Sequence, residues 1–304
     1  MGMLDQLSKA VRLLFFYPAL SLFPISFAYK LAPLISPMPG GFQKRYMRKW
    51  VTGMKRCMEL GNLVLSDEKD IYACARNHVR MLSYEALDTF LVPRLTPLKM
   101  KKISRVNGTK HIEAALERKK GLIIVTSHFC RLNMTAYSLG HMGIRNGILS
   151  QSVGKDNPYL DWVDRLFLKN KLKRYYKVTK GPGLTLKDNP RLIYKALERN
   201  EIMVILLDAF PDTIKNFYHL PFLGGTICLA RGIARISKKT GAPLVYATVK
   251  PEEEWQVKVE LEPVAKTGEE GFFETVRKFE ADVRQLPCQW WQWPYMESMW
   301  QETA

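Results

Sequence analysis

His128 is the residue of this sequence best placed to take part in chemistry, because it follows closely on a predicted buried strand. The run from Leu122 to Thr126, LIIVT, is apolar without polar alternation, which is typical of a parallel strand buried on both faces. A helix-like stretch begins near Leu132, so His128 is predicted to lie at the carboxyl edge of the sheet, where open α/β sheets bind ligands. An imidazole there is suited to general base catalysis. The alternative is a hydrogen-bonded histidine with a purely structural role.

Two later stretches place polar or conformationally free residues where a strand ends or a helix begins. Asp208 ends the apolar run 202–207, and a carboxylate there is either functional or a helix cap. Gly224 and Gly225 precede a predicted helix over 227–239. Glycines allow close backbone approach, and the free N–H groups at a helix start suit an oxyanion or a phosphate. An ordinary turn is the alternative.

Further strands and helices are predicted on both sides of these positions. The candidate strands are 103–106, 144–152, 241–249 and 255–261, and the last alternates like a half-buried edge strand. The candidate helices are 67–92, 111–118, 160–171, 188–200 and 270–285.

The N-terminal region contains a strongly apolar run over residues 13–35, whose length suits a membrane helix. Proline breaks helices and charge is rare within a span, and the run contains Pro18, Pro24, Lys30 and Pro33. A kinked helix in the membrane interface or a re-entrant anchor therefore fits as well as a true span, and a helix packed on the rest of the protein is a third possibility. We expect residues 1–39 to form a membrane-associated segment and residues 40–304 to form the main domain.

Composition points to a folded, basic protein with an anionic partner. The chain has 46 Lys and Arg against 29 Asp and Glu, a net charge of +17, and is 47% hydrophobic. Such a balance suits membrane phospholipid, nucleic acid or an acidic carrier protein. A basic block over 40–58 beside the apolar run is typical of the cytoplasmic side and attracts anionic headgroups. The five cysteines form no Cys-x-x-Cys pair and are predicted to be reduced: Cys57, Cys74, Cys130, Cys228 and Cys288.

Several phrases, in this order, resemble the lipid A biosynthesis acyltransferases within the wider lysophospholipid acyltransferase superfamily. His128, four residues, then Asn133 resembles the family signature of His, four residues, then Asp or Glu. Pro221-Phe-Leu-Gly-Gly225, Gly241-Ala-Pro243 and Pro287-Cys-Gln-Trp-Trp-Gln-Trp293 resemble its later phrases. The resemblance covers about residues 103–295. No Gly-rich phosphate loop, metalloprotease helix or Gly-x-Ser-x-Gly elbow competes with it in the sequence.

The resemblance implies an α/β fold of the glycerolipid-acyltransferase type, with a mixed, largely parallel sheet flanked by helices and a membrane-associated N-terminal helix. It implies acyl transfer from an acyl carrier protein or coenzyme A thioester to a hydroxyl or amine of a lipid, without metal or cofactor, at the cytoplasmic face of a bacterial inner membrane. His128 would be the general base, with Asn133 at the acid position. The predicted substrate-binding residues are Arg131, Asn157, Arg165, Arg174, Asp208, Gly224 and Gly225.

Asn133 departs from the family pattern, and the departure has a chemical consequence. Its side-chain oxygen can accept a hydrogen bond from the imidazole, but it has no charge to stabilise an imidazolium. In serine proteases the exchange of the triad Asp for Asn lowers turnover by about four orders of magnitude. Three interpretations remain open: an engineered inactive variant, a natural enzyme that works with Asn, and a catalytically inactive lipid-binding protein. Nucleic-acid binding is a further rival, although the basic residues accompany an apolar segment and no stacking platform.

Overall fold

The buried run before His128 forms the central strand of a seven-stranded sheet. The structure, a computed structural model, describes residues 2–59, 63, 68–155, 157–209 and 216–302. Its strands are β1 (Ser104–Asn107), β2 (Leu122–Thr126), β3 (Asn146–Ser150), β4 (Lys180–Thr185), β5 (Ile202–Leu206), β6 (Phe217–Phe222), β7 (Gly225–Ala230), β8 (Leu244–Pro251), β9 (Val257–Pro263) and β10 (Trp300–Glu302). The large sheet has the order β1-β9-β8-β2-β5-β3-β4. All five residues of β2 are buried, which confirms the strand predicted from the apolar run.

The large sheet is mostly parallel, as expected for an α/β fold. Only the β8–β9 pair is antiparallel among the strand pairs that the structure describes in this sheet. The prediction of 255–261 as an edge strand was wrong, because β9 pairs with β8 on one side and with β1 on the other. Its alternation nevertheless appears as alternating burial along the strand.

Helices cover the sheet and form the N-terminal region. They are α1 (Met3–Ala10), α2 (Tyr17–Leu20), α3 (Ile25–Leu31), α4 (Gly40–Glu59), α5 (Glu68–Leu91), α6 (Pro97–Met100), α7 (Lys110–Leu116), α8 (Met134–His141), α9 (Trp162–Thr179), α10 (Arg191–Glu198), α11 (Gly232–Thr240), α12 (Gly268–Gln285) and α13 (Met296–Met299). The predicted helix over 227–239 begins only at Gly232, because residues 225–230 form β7 of a second, antiparallel sheet with the order β10-β7-β6.

The apolar N-terminal run is divided into short helical pieces. A π-helical turn over Val11–Phe16 joins α1 to α2, and Pro24 lies directly before α3, where its missing N–H and fixed φ prevent a continuous helix. Among the helices that the structure describes, none is both long and apolar enough to cross a bilayer. Tyr17 and Tyr29 are fully buried, whereas Phe15 is 68% exposed. One side of the segment therefore packs on the protein and the other faces outward.

A disulfide joins α5 to the loop after α12. Cys74 and Cys288 are bonded across a sequence separation of 214 residues, so the prediction that all five cysteines are reduced was wrong for this pair. Sequence could not reveal the bond, because the two residues meet only when the C-terminal loop folds back over α5. Cys57, Cys130 and Cys228 are free.

Removing this disulfide should destabilise the fold measurably. Because the bond closes a long loop, we expect the Cys74→Ser/Cys288→Ser double variant to lose about 2–5 kcal/mol of unfolding free energy, by restoring entropy to the unfolded chain. Urea denaturation without reductant measures this, with Cys228→Ser as a control that should change little. An unchanged midpoint in the double variant would contradict the prediction.

Candidate active site

The parallel register of β2 and β5 brings His128 and Asp208 together. Thr126 of β2 pairs with Leu206 of β5. His128 comes two residues after Thr126, and Asp208 comes two residues after Leu206. His128 Nδ1 lies 3.0 Å from Asp208 Oδ1. The backbone N–H of His128 also donates to both carboxylate oxygens, at 2.9 and 3.0 Å. The two residues therefore form a fixed pair at the carboxyl edge of the sheet, where the sequence predicted a site.

The two members of this pair differ in their access to solvent. The side chain of Asp208 is fully buried, whereas that of His128 is 30% exposed. An ionised carboxylate only accepts hydrogen bonds, so we assign the Nδ1 proton of His128 to the bond with Asp208. That tautomer leaves Nε2 with a lone pair, as a general base requires. Asp208 was predicted to bind substrate, but its burial behind the ring prevents direct contact.

The loop after α12 closes around the pair from the other side. Trp290 Nε1 donates to Asp208 Oδ2 at 3.0 Å. Gln292 Nε2 donates to the Asp208 backbone carbonyl at 3.1 Å and lies 3.1 Å from His128 Nδ1. The sequence analysis assigned neither side chain to the site, because it used the phrase that contains them only for its resemblance to a family. The available signal was the resemblance of the phrase beginning at Pro287 to a family motif.

Backbone contacts hold the same loop against the residues after β2. The N–H of Cys130 donates to the carbonyl of Gln289 at 2.8 Å, and the N–H of Trp291 donates to the carbonyl of His128 at 2.9 Å. Cys130 has a φ of 49°, in the left-handed region that non-glycine residues rarely adopt. Burial raises the pKa of the Cys130 thiol to about 12, so this neighbour of His128 is not a thiolate nucleophile.

Asn133 does not contact the imidazole in the way its position suggested. Its Nδ2 donates to Glu85 Oε1 on α5, and Lys171 Nζ lies 2.8 Å from the same oxygen. The hydrogen bond that the structure describes for the His128 ring goes from Nδ1 to Asp208, and Gln292 Nε2 is a further polar neighbour of the same nitrogen. Residue 133 directly precedes α8 without capping it through its side chain, which is directed toward α5. The orienting carboxylate of His128 is therefore Asp208 and not the residue at the motif's acid position.

Arg131 was predicted to bind substrate, but the structure gives it partners within the protein. It is 1% exposed, and its Nε and Nη2 each lie 2.6 Å from a carboxylate oxygen of Asp88. Nη2 also donates to Tyr29 Oη at 2.7 Å, and Nη1 donates to the carbonyl of Trp255. The guanidinium thus fastens the residues after β2 to α3, to α5 and to the turn before β9.

Of three other predicted binding residues, two shape the segment before α9 and the third packs against α5. Asn157 Nδ2 donates to the Ser152 carbonyl at 2.9 Å. Arg165 donates to the carbonyls of Gly154 and Asn157, at 3.2 and 3.1 Å. Arg174 lies over the ring of Phe90, 5.1 Å from its centroid. Asn157 and Arg165 therefore hold the segment in shape.

The structure places Gly224 and Gly225 in a β-hairpin and not before a helix. Gly224 lies between β6 and β7 with a φ of 72°. A Cβ on Gly225 would lie 2.3 Å from Trp300 Cζ2, so this glycine permits close packing with β10. The predicted oxyanion or phosphate site at a helix start is therefore wrong in its geometry.

A cavity of about 650 Å³ and the His128–Asp208 pair have Trp291 as a common neighbour. Trp291 connects the two, because it lines the cavity and its ring centroid is 6.2 Å from that of His128. The wall is built from α1, α5, the segment before α9, and α9 itself: it includes Gln6, Lys9, Leu13, Leu82, Glu85, Tyr159, Asp161, Asp164, Phe167 and Lys171. Its size is within the range of pockets that hold small-molecule ligands.

Comparison with protein families identifies the family to which the chain is similar. A family model described as bacterial lipid A biosynthesis acyltransferase matches residues 12–293. No curated protein matches the chain. The matched residues include His128, Asp208, Gln292 and the cavity wall from Leu13 onward.

Replacing Asn133 by the acid of the family signature should lower the stability of this protein. Asn133→Asp would remove a donor to Glu85 and place a second carboxylate beside it in a buried site. We expect a loss of about 1–3 kcal/mol of unfolding free energy from the unsatisfied or repelling carboxylates. Chemical denaturation measures the loss, with the exposed Asn189→Asp as the matched control. A variant as stable as the native protein would contradict the arrangement described.

Proposed function

The chain belongs to the bacterial lipid A biosynthesis acyltransferase family, and from this premise we propose that it moves a fatty acyl group from a carrier thioester to a lipid. The donor is an acyl carrier protein or coenzyme A thioester, and the acceptor atom is a hydroxyl or amine of the lipid. The observation that carries the proposal is the 3.0 Å contact between His128 and the buried Asp208, with the ring partly exposed.

The chemistry follows from the assigned tautomer of His128. Nε2 takes the proton from the acceptor hydroxyl as its oxygen attacks the thioester carbonyl. The tetrahedral intermediate collapses, the carbon–sulfur bond breaks, and the imidazolium returns the proton to the departing thiolate. Asp208 lies 3.0 Å from Nδ1 and stabilises the imidazolium while it exists. No covalent enzyme intermediate is needed.

The same geometry supports activity despite Asn133. The loss of turnover expected from an uncharged residue at position 133 applies only if that residue is the hydrogen-bond partner of the imidazole. Here the carboxylate next to Nδ1 comes from the end of β5. We therefore favour a natural enzyme over an inactive scaffold.

We further propose that the lipid reaches the cavity from a membrane surface. The N-terminal segment over residues 3–34 contributes Lys9 and Leu13 to the cavity wall. The same segment presents apolar side chains outward, which suits insertion into one leaflet: Met3, Leu4, Leu7, Val11, Phe15, Leu22, Phe23, Phe27 and Leu34. Tyr159 and Trp162, near α1, are also exposed, and Trp162 Nε1 donates to Gln6. This arrangement favours interfacial attachment. Because the proposed donors are acyl thioesters of the cytoplasm, we propose that the attachment is to the cytoplasmic face of the inner membrane.

The net charge of +17 suits both proposed partners. Anionic lipid attracts the basic residues beside the apolar segment. An acidic acyl carrier protein would be steered to the same kind of surface, because charge complementarity raises association rates.

Substitution of the pair tests the catalytic proposal. We expect His128→Ala and Asp208→Asn each to lower turnover by about three to four orders of magnitude, because the base is lost in one and loses its charged partner in the other. The assay follows thiol release from myristoyl coenzyme A with a tetra-acylated lipid A precursor, and mass spectrometry detects the acylated product. Asp188→Asn, an exposed acid, is the control.

The outcomes of that assay separate the interpretations. An unaffected Asp208→Asn variant would contradict the role of this carboxylate. A native protein that binds the precursor but neither releases thiol nor forms product would be a lipid-binding protein on the same scaffold.

Acidic substitution of the outward apolar side chains tests the membrane proposal. Phe15 and Leu22 are 68% and 67% exposed, and each would lose its burial in lipid. We expect Phe15→Glu and Leu22→Glu each to weaken binding to phosphatidylglycerol-containing liposomes about tenfold, measured by co-sedimentation. Leu192→Glu, which changes an exposed leucine of α10, should have little effect. Equal loss in all three variants would mean that charge alone, and not insertion of this segment, determines binding.

A further inference from the structure

Glu85 is a buried acid whose hydrogen bonding is incomplete. It is 4% exposed, and its Oε1 receives both the Asn133 amide and the Lys171 ammonium. Its other oxygen, Oε2, is buried and has no hydrogen-bond partner among the described residues. A buried carboxylate oxygen without a donor is costly, so this arrangement needs a reason.

The location of Glu85 provides that reason. It lies on the wall of the 650 Å³ cavity, together with Trp291, which also contacts the His128 ring. Both donors that fix the carboxylate bind the same oxygen, and one of them, Lys171, also lines the cavity. The carboxylate is therefore held in one orientation with half of its hydrogen-bonding capacity unused.

The charge of the cavity wall limits which ligand groups can form a hydrogen bond with Oε2 of Glu85. The wall contains three carboxylates and two lysine ammonium groups, a net charge of −1: Glu85, Asp161, Asp164, Lys9 and Lys171. The whole chain, in contrast, has a net charge of +17. A negatively charged group would therefore be disfavoured next to Glu85, whereas a hydroxyl or an ammonium group supplies a donor without adding negative charge.

We propose that Glu85 Oε2 accepts a hydrogen bond from a hydroxyl or ammonium group of the lipid acceptor, and that it selects acceptors with such a donor. This proposal rests on the proposed function, in which the cavity holds the lipid acceptor. Glu85 then positions the acceptor's polar group within the cavity. Asn133 has a definite part in this arrangement, because its amide holds the carboxylate in place.

Simple amphiphiles of equal chain length test the proposal without knowledge of the natural acceptor. Decan-1-ol and decylamine carry a donor, whereas decyl methyl ether carries only an acceptor. Calorimetric titration of the full-length protein below the micelle concentration should show decan-1-ol binding about tenfold more tightly than the ether. Decylamine should also exceed the ether, and the ratio of amine to alcohol shows which donor the site prefers.

Glu85→Gln should abolish this preference. Asn133 and Lys171 would keep the amide oxygen on their side, so the amide nitrogen would occupy the position of Oε2 and become a donor. The oxygens of the alcohol and of the ether can both accept from it, so the alcohol-to-ether ratio should fall to about one, and decylamine, whose ammonium group only donates, should bind most weakly. The matched control is Asp164→Asn, which changes another acid of the same wall and should leave the alcohol-to-ether ratio unchanged.

The remaining outcomes are decisive. A ratio near one in the native protein, or the same ratio in Glu85→Gln, overturns the proposal. If Glu85→Gln does not fold, Glu85→Asp replaces it. A carboxylate on a side chain shorter by one methylene cannot bond to both the protein donors and the ligand, so the alcohol-to-ether ratio should fall toward one. His128→Ala should keep the native ratio while losing turnover, so failure of the catalytic proposal and failure of this one give different results.

Discussion

The carboxylate of Asp208 is the constraint on which the site depends. A fully buried charge costs several kcal/mol unless donors compensate it. The structure supplies three N–H groups, from the His128 backbone, the His128 ring and the Trp290 indole. Two of these come from the residues after β2 and one comes from the far end of the chain. The charge is therefore stable only when the strand edge and the C-terminal loop are both in place.

This requirement explains how the C-terminal loop is held. The disulfide from Cys74 fixes the loop at Cys288. His78 lies on the same helix, is fully buried, and has Nδ1 3.2 Å from the Cys288 carbonyl. Burial lowers the pKa of His78 to about 3, so it stays neutral and acts by packing and hydrogen bonding. Helix α5 thus carries the loop that completes the site, and through Asp88 and Glu85 it also holds the residues after β2.

The parts of this arrangement that sequence could predict are those set by local pattern. The apolar run of β2 fixed the strand, and the position after it placed His128 at the sheet edge. Asp208 was recognised as an acid at a strand end, but its partner depended on which strands are neighbours, and β5 follows β2 by some 75 residues. Gly225 was misplaced because its small size serves contact with Trp300, which is 75 positions away in the chain. Local pattern contains no information on such contacts.

Asn133 shows that the position of a residue in a sequence motif does not by itself determine its chemical role. What the imidazole needs is a carboxylate oxygen within hydrogen-bond distance of Nδ1, and Asp208 meets that need from another strand. The side chain at position 133 is directed toward α5, where its partner is Glu85. An amide fits there because Glu85 already carries the negative charge. Two acids at this contact would repel, so once α5 supplies a carboxylate the motif residue must be a donor. The departure from the family pattern is then a consequence of where the charge is placed, and an acid restored at position 133 would disturb the balance that Lys171 and Glu85 maintain.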